Sequence, residues 1–148
     1  MYDILDENIP EEELKRADHL VYVSLKYTRT TDVMMNAIKR MIAAYELSIT
    51  NYLIELKKQK KLNDVPFSKN ERALLVSKLL GNKIKKHMSL YNILKRIEKS
   101  EYTGTEEFRK NVTLKTKGVK SIEVKMVNLY EFLDITKEFV KILNKENE

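Results

Sequence analysis

One stretch governs what this chain can fold into. From Met35, the apolar residues Ile38, Ile42, Tyr45, Ile49, Tyr52 and Leu56 follow at alternating steps of three and four. That spacing returns each side chain to one stripe of an α-helix. Met34, Ala37, Met41 and Ala44 mark a second, partly small face beside the first. A single stripe satisfies one neighbouring helix, whereas two adjacent stripes demand several neighbours or a second copy of the chain. The segment is therefore expected to be the spine of a helical bundle. Met35, Ile38, Ile42, Tyr45, Ile49 and Tyr52 are the expected seam for a partner or a homodimer.

The flanking segments read as further helices. Pro10 followed by Glu11, Glu12 and Glu13 is a good helix start, because proline loses no bond in the first turn and the acids complement the helix dipole. Leu14, Ala17, Val21, Leu25 and Thr28 carry that helix to about Thr28, with the β-branched run Val21–Ser24 inside it. Pro66 breaks the pattern, and Ser68 with Glu71 forms a capping box for a helix bearing Leu75 and Leu79. Gly81 ends it, and Asn82 is the candidate cap of the next helix, which runs to about Lys99. Ser100–Thr105 reads as a loop, with Thr105 capping a short helical turn.

Val112, Leu114 and Thr116 then alternate with polar residues, as do Ile122 and Val124. A three-residue loop over Lys117–Val119, with Gly118 left-handed, would pair Leu114 with Ile122 and Val112 with Val124. An irregular connection is the alternative. A last helix from about Met126 carries Leu129, Phe132, Leu133, Thr136, Phe139, Val140 and Leu143 on one face. The expected fold is all-α: an up-down bundle of four to five helices, with a small β-hairpin near residues 112–124. Its 148 residues suit a single helical domain over 1–148.

Composition removes several kinds of chemistry. There is no cysteine, hence no disulfide, thiolate nucleophile or cysteine-held metal. Two histidines do not make a histidine-rich metal site, and no cofactor is expected. Asp3, Asp6 and Glu7 are hard-cation ligands by type, although a solvated leader is the preferred reading. Three glycines leave no phosphate-cradling loop of the Walker or dinucleotide type. The acidic start lacks the basic-then-apolar run of a signal peptide, and no apolar stretch nears the roughly 18 residues of a spanning helix. A cytoplasmic chain with no membrane partner is expected.

Charge points toward acidic partners. Residues 57–125 carry 19 basic and 7 acidic side chains, against 6 and 10 over 1–56. Within that middle, Asn82–Lys99 holds six Lys or Arg and one of the two histidines. On a helix, His87, Leu90, Leu94 and Ile97 share one side with Tyr91 at the edge, whereas Lys85, Ser89, Asn92, Arg96 and Lys99 share the other. His87 thus belongs to the apolar stripe, where a packed, hydrogen-bonded ring is preferred to a catalyst, because no local carboxylate orients it. Lys83, Lys85, Lys86, Arg96 and Lys99 are the candidate contacts to nucleic acid or another anion, set against a merely solvated face. Lysine predominates there, which suits sequence-blind binding of phosphates; four of them would give log K a slope of roughly −3.6 in log salt. Tyr91 and Tyr102 are candidate stacking groups, with core packing preferred for an edge tyrosine. His19 reads as a surface residue. Thr30 or Thr31 with Asp32 caps the long helix, or Lys26 and Arg29 form an anion site there.

The segment Arg16–Leu56, an Ala-led amphipathic helix followed by a longer one with alanines at its seam, resembles the opening pair of HEPN-like helical domains. Catalytic members of that family are ribonucleases with an Arg-x(4–6)-His motif working across a dimer. Here Arg16 lies three before His19 and Arg72 fifteen before His87, so the motif is missing. The resemblance then implies an accessory role. The expected function is a non-enzymatic, dimeric interaction module that pairs with a partner protein or binds RNA or DNA non-specifically. The alternative is an RNA-processing enzyme with a non-standard site drawn from Arg29, His87 and Arg109.

Overall fold

A computed structural model describes residues 9–147, so the acids Asp3, Asp6 and Glu7 lie outside the described residues. Among the described residues, five helices carry a three-stranded antiparallel sheet at one end. Helix α1 (Pro10–His19) begins at its proline with three glutamates in the first turn. It passes through a π-helical turn (Leu20–Ser24), where the Leu25 amide donates to the Leu20 carbonyl, and finishes in Leu25–Tyr27. At 3.6 residues per turn each four-residue step drifts by about 40°. The wider turn takes up that drift, so Ala17, Val21 and Leu25 are all 1% exposed or less.

Helix α2 (Thr31–Lys58) is the spine, capped by Thr30, whose hydroxyl accepts from the Val33 amide at 3.3 Å. Both of its apolar stripes are buried. Helix α1, helix α3 (Lys69–Leu80), helix α4 (Lys85–Lys99) and helix α5 (Met126–Glu146) all pack against it. Met35, Ile38, Ile42, Tyr45, Ile49 and Tyr52 are each 6% exposed or less. The seam expected for a second copy is thus taken by four helices of the same chain. Two stripes did mean several neighbours, and all of them are intrachain.

Ser68 caps α3 by accepting from the Glu71 amide at 3.1 Å. Its buried residues are Ala73 and Val76, while Leu79 stands largely exposed. Gly81, at φ +54°, ends the helix in a conformation costly for a side chain. Asn82 does not cap α4. It lies in a 3₁₀ turn (Gly81–Lys83), and Ile84 occupies the cap position.

The fold is not purely helical. Strand β1 (Tyr102–Thr105) comes from the segment expected to be a loop, and Thr105 pairs with Thr113 instead of capping a turn. Strands β2 (Thr113–Thr116) and β3 (Glu123–Lys125) make the expected hairpin in another register. Leu114 faces Val124 across the ladder, so the loop spans five residues, 117–121. A two-residue slip keeps every side chain on its face, so alternation does not distinguish the registers. Thr116 does: its amide donates to the Ile122 carbonyl at 2.9 Å and its hydroxyl accepts from the Ile122 amide at 2.7 Å. Val112, Leu114 and Val124 are fully buried and join the helical core.

The sheet is fastened to the start of α2. The Glu107 carboxylate accepts from the Thr31 amide at 3.0 Å and its hydroxyl at 2.6 Å. The Phe108 amide donates to the Arg29 carbonyl at 2.7 Å, and the Tyr102 hydroxyl to Asp32 at 2.6 Å. Among the described residues, no helix is long and apolar enough to cross a membrane.

Candidate nucleic-acid interface

Helix α4 sorts its faces as an amphipathic helix must. His87, Met88, Leu90, Tyr91, Leu94 and Ile97 are buried, while Lys85, Ser89, Asn92, Arg96 and Lys99 form an exposed stripe. The five candidate cations fare differently. Lys83 pairs with Glu146 at 3.1 Å and Lys86 with Glu138 at 3.4 Å, both on α5. Lys85, Arg96 and Lys99 have no ion pair among the described residues. From the opening segment, Glu46 takes Lys69 and Lys95, each at 3.2 Å, and leaves the stripe alone.

The fold adds cations that local reading of α4 does not reach. The Arg96 guanidinium donates to the Lys120 carbonyl at 3.5 Å, and the Lys117 amide donates to the Glu101 carbonyl at 2.8 Å. These contacts lay the β2–β3 turn beside the last turn of α4. Lys117 and Lys120 are exposed there on either side of Gly118 and the fully exposed Val119. The turn glycine was a visible signal; the adjacency to Arg96 was not, because it depends on how the sheet docks. Of the acids nearby, Glu98 lies on the Tyr91 side of the helix, where it acts on that hydroxyl.

His87 is 4% exposed. Its Nε2 lies 2.6 Å from the Glu138 carboxylate, and its ring packs 6.1 Å from that of Phe139. Its Nδ1 is buried with no hydrogen-bond partner among the described residues. A buried N–H without an acceptor is costly, so the proton belongs on Nε2, donated to Glu138. The orienting carboxylate missing from the local sequence therefore comes from α5, 51 residues away. The imidazole and the Lys86 ammonium together hold the Glu138 carboxyl below the usual carboxylate range.

Tyr91 and Tyr102 are both committed within the fold. The buried Tyr91 hydroxyl donates to Glu46 at 2.8 Å, and burial reinforced by that carboxylate raises its pKa. Tyr102, bound to Asp32, is pushed up to about 12. His19 is exposed, with Ser24 Oγ 3.4 Å from its Nδ1. At the start of α2, the place proposed for an anion beside Lys26 and Arg29 is filled by the chain's own Glu107.

The fold does not assemble Arg29, His87 and Arg109. The bond from Phe108 to Arg29 draws Arg29 toward the loop that holds Arg109. His87 instead meets α2 at Tyr45, whose hydroxyl donates to its carbonyl at 2.8 Å. Tyr45 lies fifteen residues beyond the Thr30 cap, roughly 22 Å along the axis. Among the described residues, no three His, Asp or Glu side chains gather as a metal site. No protein-family model, curated protein or solved structure matches the chain.

Proposed function

We propose that the chain is a non-enzymatic binding module that holds nucleic acid by its phosphates without reading sequence. One observation carries this reading: the exposed stripe of Lys85, Arg96 and Lys99 continues into Lys117 and Lys120 of the β2–β3 turn, with no ion pair among the described residues to neutralise it. Mobile lysine ammoniums act as point charges on phosphates, whereas base reading relies on fixed bidentate forks. Ser89 and Asn92, on the same stripe, add hydrogen-bond donors for phosphate or sugar. The HEPN-like pattern of residues 16–56, without its Arg-x(4–6)-His motif, fits binding rather than cutting.

Titrating a labelled duplex against the protein at several salt concentrations tests this. Five engaged phosphates give log K a slope of roughly −4.5 in log salt. Lys85→Gln, Lys99→Gln or Lys117→Gln should each reduce the slope by about one. Lys83→Gln and Lys86→Gln, whose charges are already answered by Glu146 and Glu138, should leave it unchanged. A probe that is degraded would replace this reading with the ribonuclease one.

A second reading, pairing with another protein or another copy, is favoured by α3 and its approach. Phe67, Leu74 and Leu79 are 93%, 71% and 47% exposed. Light scattering at high concentration tests self-association, and Leu74→Glu should abolish it.

A further inference from the structure

Helices α1 and α5 run antiparallel along a line of contacts. Asn144 donates to Glu11 at 2.7 Å, Lys137 meets Asp18 at 2.7 Å, and Tyr22 stacks against Tyr130. The last rung differs from the other two, being an aromatic pair at the sheet end of the bundle. Its rings are tilted by 31° with centroids 5.1 Å apart, yet they remain 47% and 37% exposed. Val23 at 41%, Val127 at 68% and Tyr27 at 80% exposed extend the apolar surface on the same two helix ends. The π-helical turn lets Tyr22 face out while Val21 and Leu25 stay in the core.

This platform lies a short length of chain from the basic turn. Strand β3 leads from the Lys117–Ser121 turn directly into α5, so Lys120 and Lys125 lie at most about 17 Å apart, and Tyr130 follows five residues later. The sheet segment 102–125 carries six Lys or Arg against three Glu. All three glutamates are engaged, Glu106 by Arg109, Glu107 by Thr31 and Glu123 by Lys115. Glu131 and Asp134 are exposed beside Tyr130 and repel phosphates from the rings. Exposed rings flanked by acids, with lysines a few residues away along the chain, suit a polynucleotide whose bases meet the tyrosines and whose backbone meets the cations.

We propose that the ligand is single-stranded nucleic acid, with bases stacked on the Tyr22–Tyr130 platform and phosphates on the Lys117–Lys125 side. This rests on the reading given above and narrows it, because a duplex keeps its base faces to itself. Stacking on an aromatic side chain is worth roughly five- to 150-fold in affinity per base and tolerates any sequence.

The test compares a single-stranded RNA of about twelve nucleotides, within the span such surfaces cover, with the duplex of equal length. Expected is tenfold or more tighter binding of the single strand by the full chain. Tyr22→Leu with Tyr130→Leu should erase that preference at an unchanged salt slope, and Tyr22→Phe with Tyr130→Phe should keep it. Photocrosslinking of 4-thiouridine RNA to the unsubstituted protein supplies a readout independent of any variant's folding; adducts should map to Tyr22, Tyr27 or Tyr130. Equal affinity for strand and duplex, or adducts confined to the α4 stripe, overturns the platform and leaves the phosphate-binding reading standing. Binding of neither probe overturns both.

Discussion

Gly104 has no room for a side chain. A Cβ there would sit 2.5 Å from the Glu107 carboxylate and 2.7 Å from the Thr31 methyl. Gly104→Ala must displace one of them, and both belong to the joint between sheet and spine. Overpacking of this kind costs about 1–3 kcal/mol, and urea denaturation should show a loss in that range at unchanged m-value. Glu138 makes a different prediction. Its carboxyl is held low by His87 first and Lys86 second, so the folded state binds fewer protons there than the unfolded chain. The resulting stability is present above the ordinary carboxylate pKa and is lost as pH falls through the lowered value. Denaturation of Glu138→Gln should therefore show a deficit at neutral pH that shrinks as pH falls below the usual carboxylate range. Neither glycine contact nor histidine partner was legible beforehand, because each joins residues far apart in the chain.

At the scale of elements, legibility followed the source of the signal. Helices announced by caps and spacing arose where expected: Pro10 starts α1, Thr30 caps α2 and Ser68 caps α3. Asn82 misled because Gly81 opens a 3₁₀ turn, which moves the start of α4 past it. Strand β1 is four residues with a glycine inside, and only its partner β2 makes it a strand. Its tyrosine is anchored by its hydroxyl on Asp32 and packs only partly against the core. Helix α3 is the lightly held element, burying Ala73 and Val76 while Leu74 faces water. So little apolar contact predicts a low free energy of local opening. Native-state hydrogen exchange should find the α3 amides exchanging ahead of those in α2 and α5.

For the whole molecule, the central apolar segment foretold a bundle, but its surplus of apolar surface left open whose neighbours would cover it. Four intrachain helices answered that, something a stripe count cannot decide. The lysine-rich middle was legible as charge, and the fold then divided it. Glutamates of α5 take Lys83 and Lys86, while Lys85, Arg96 and Lys99 stay exposed, the last two beside the hairpin turn. The fastening of Glu107 to Thr31 has a consequence in time. The carboxylate that completes the first turn of α2 arrives 76 residues after it. A nascent spine thus leaves the ribosome with that end unfinished, and loop closure over such a span is slow relative to helix growth. Loop closure over that span predicts helices first and sheet last, with one acidic side chain as the latch that reports completion.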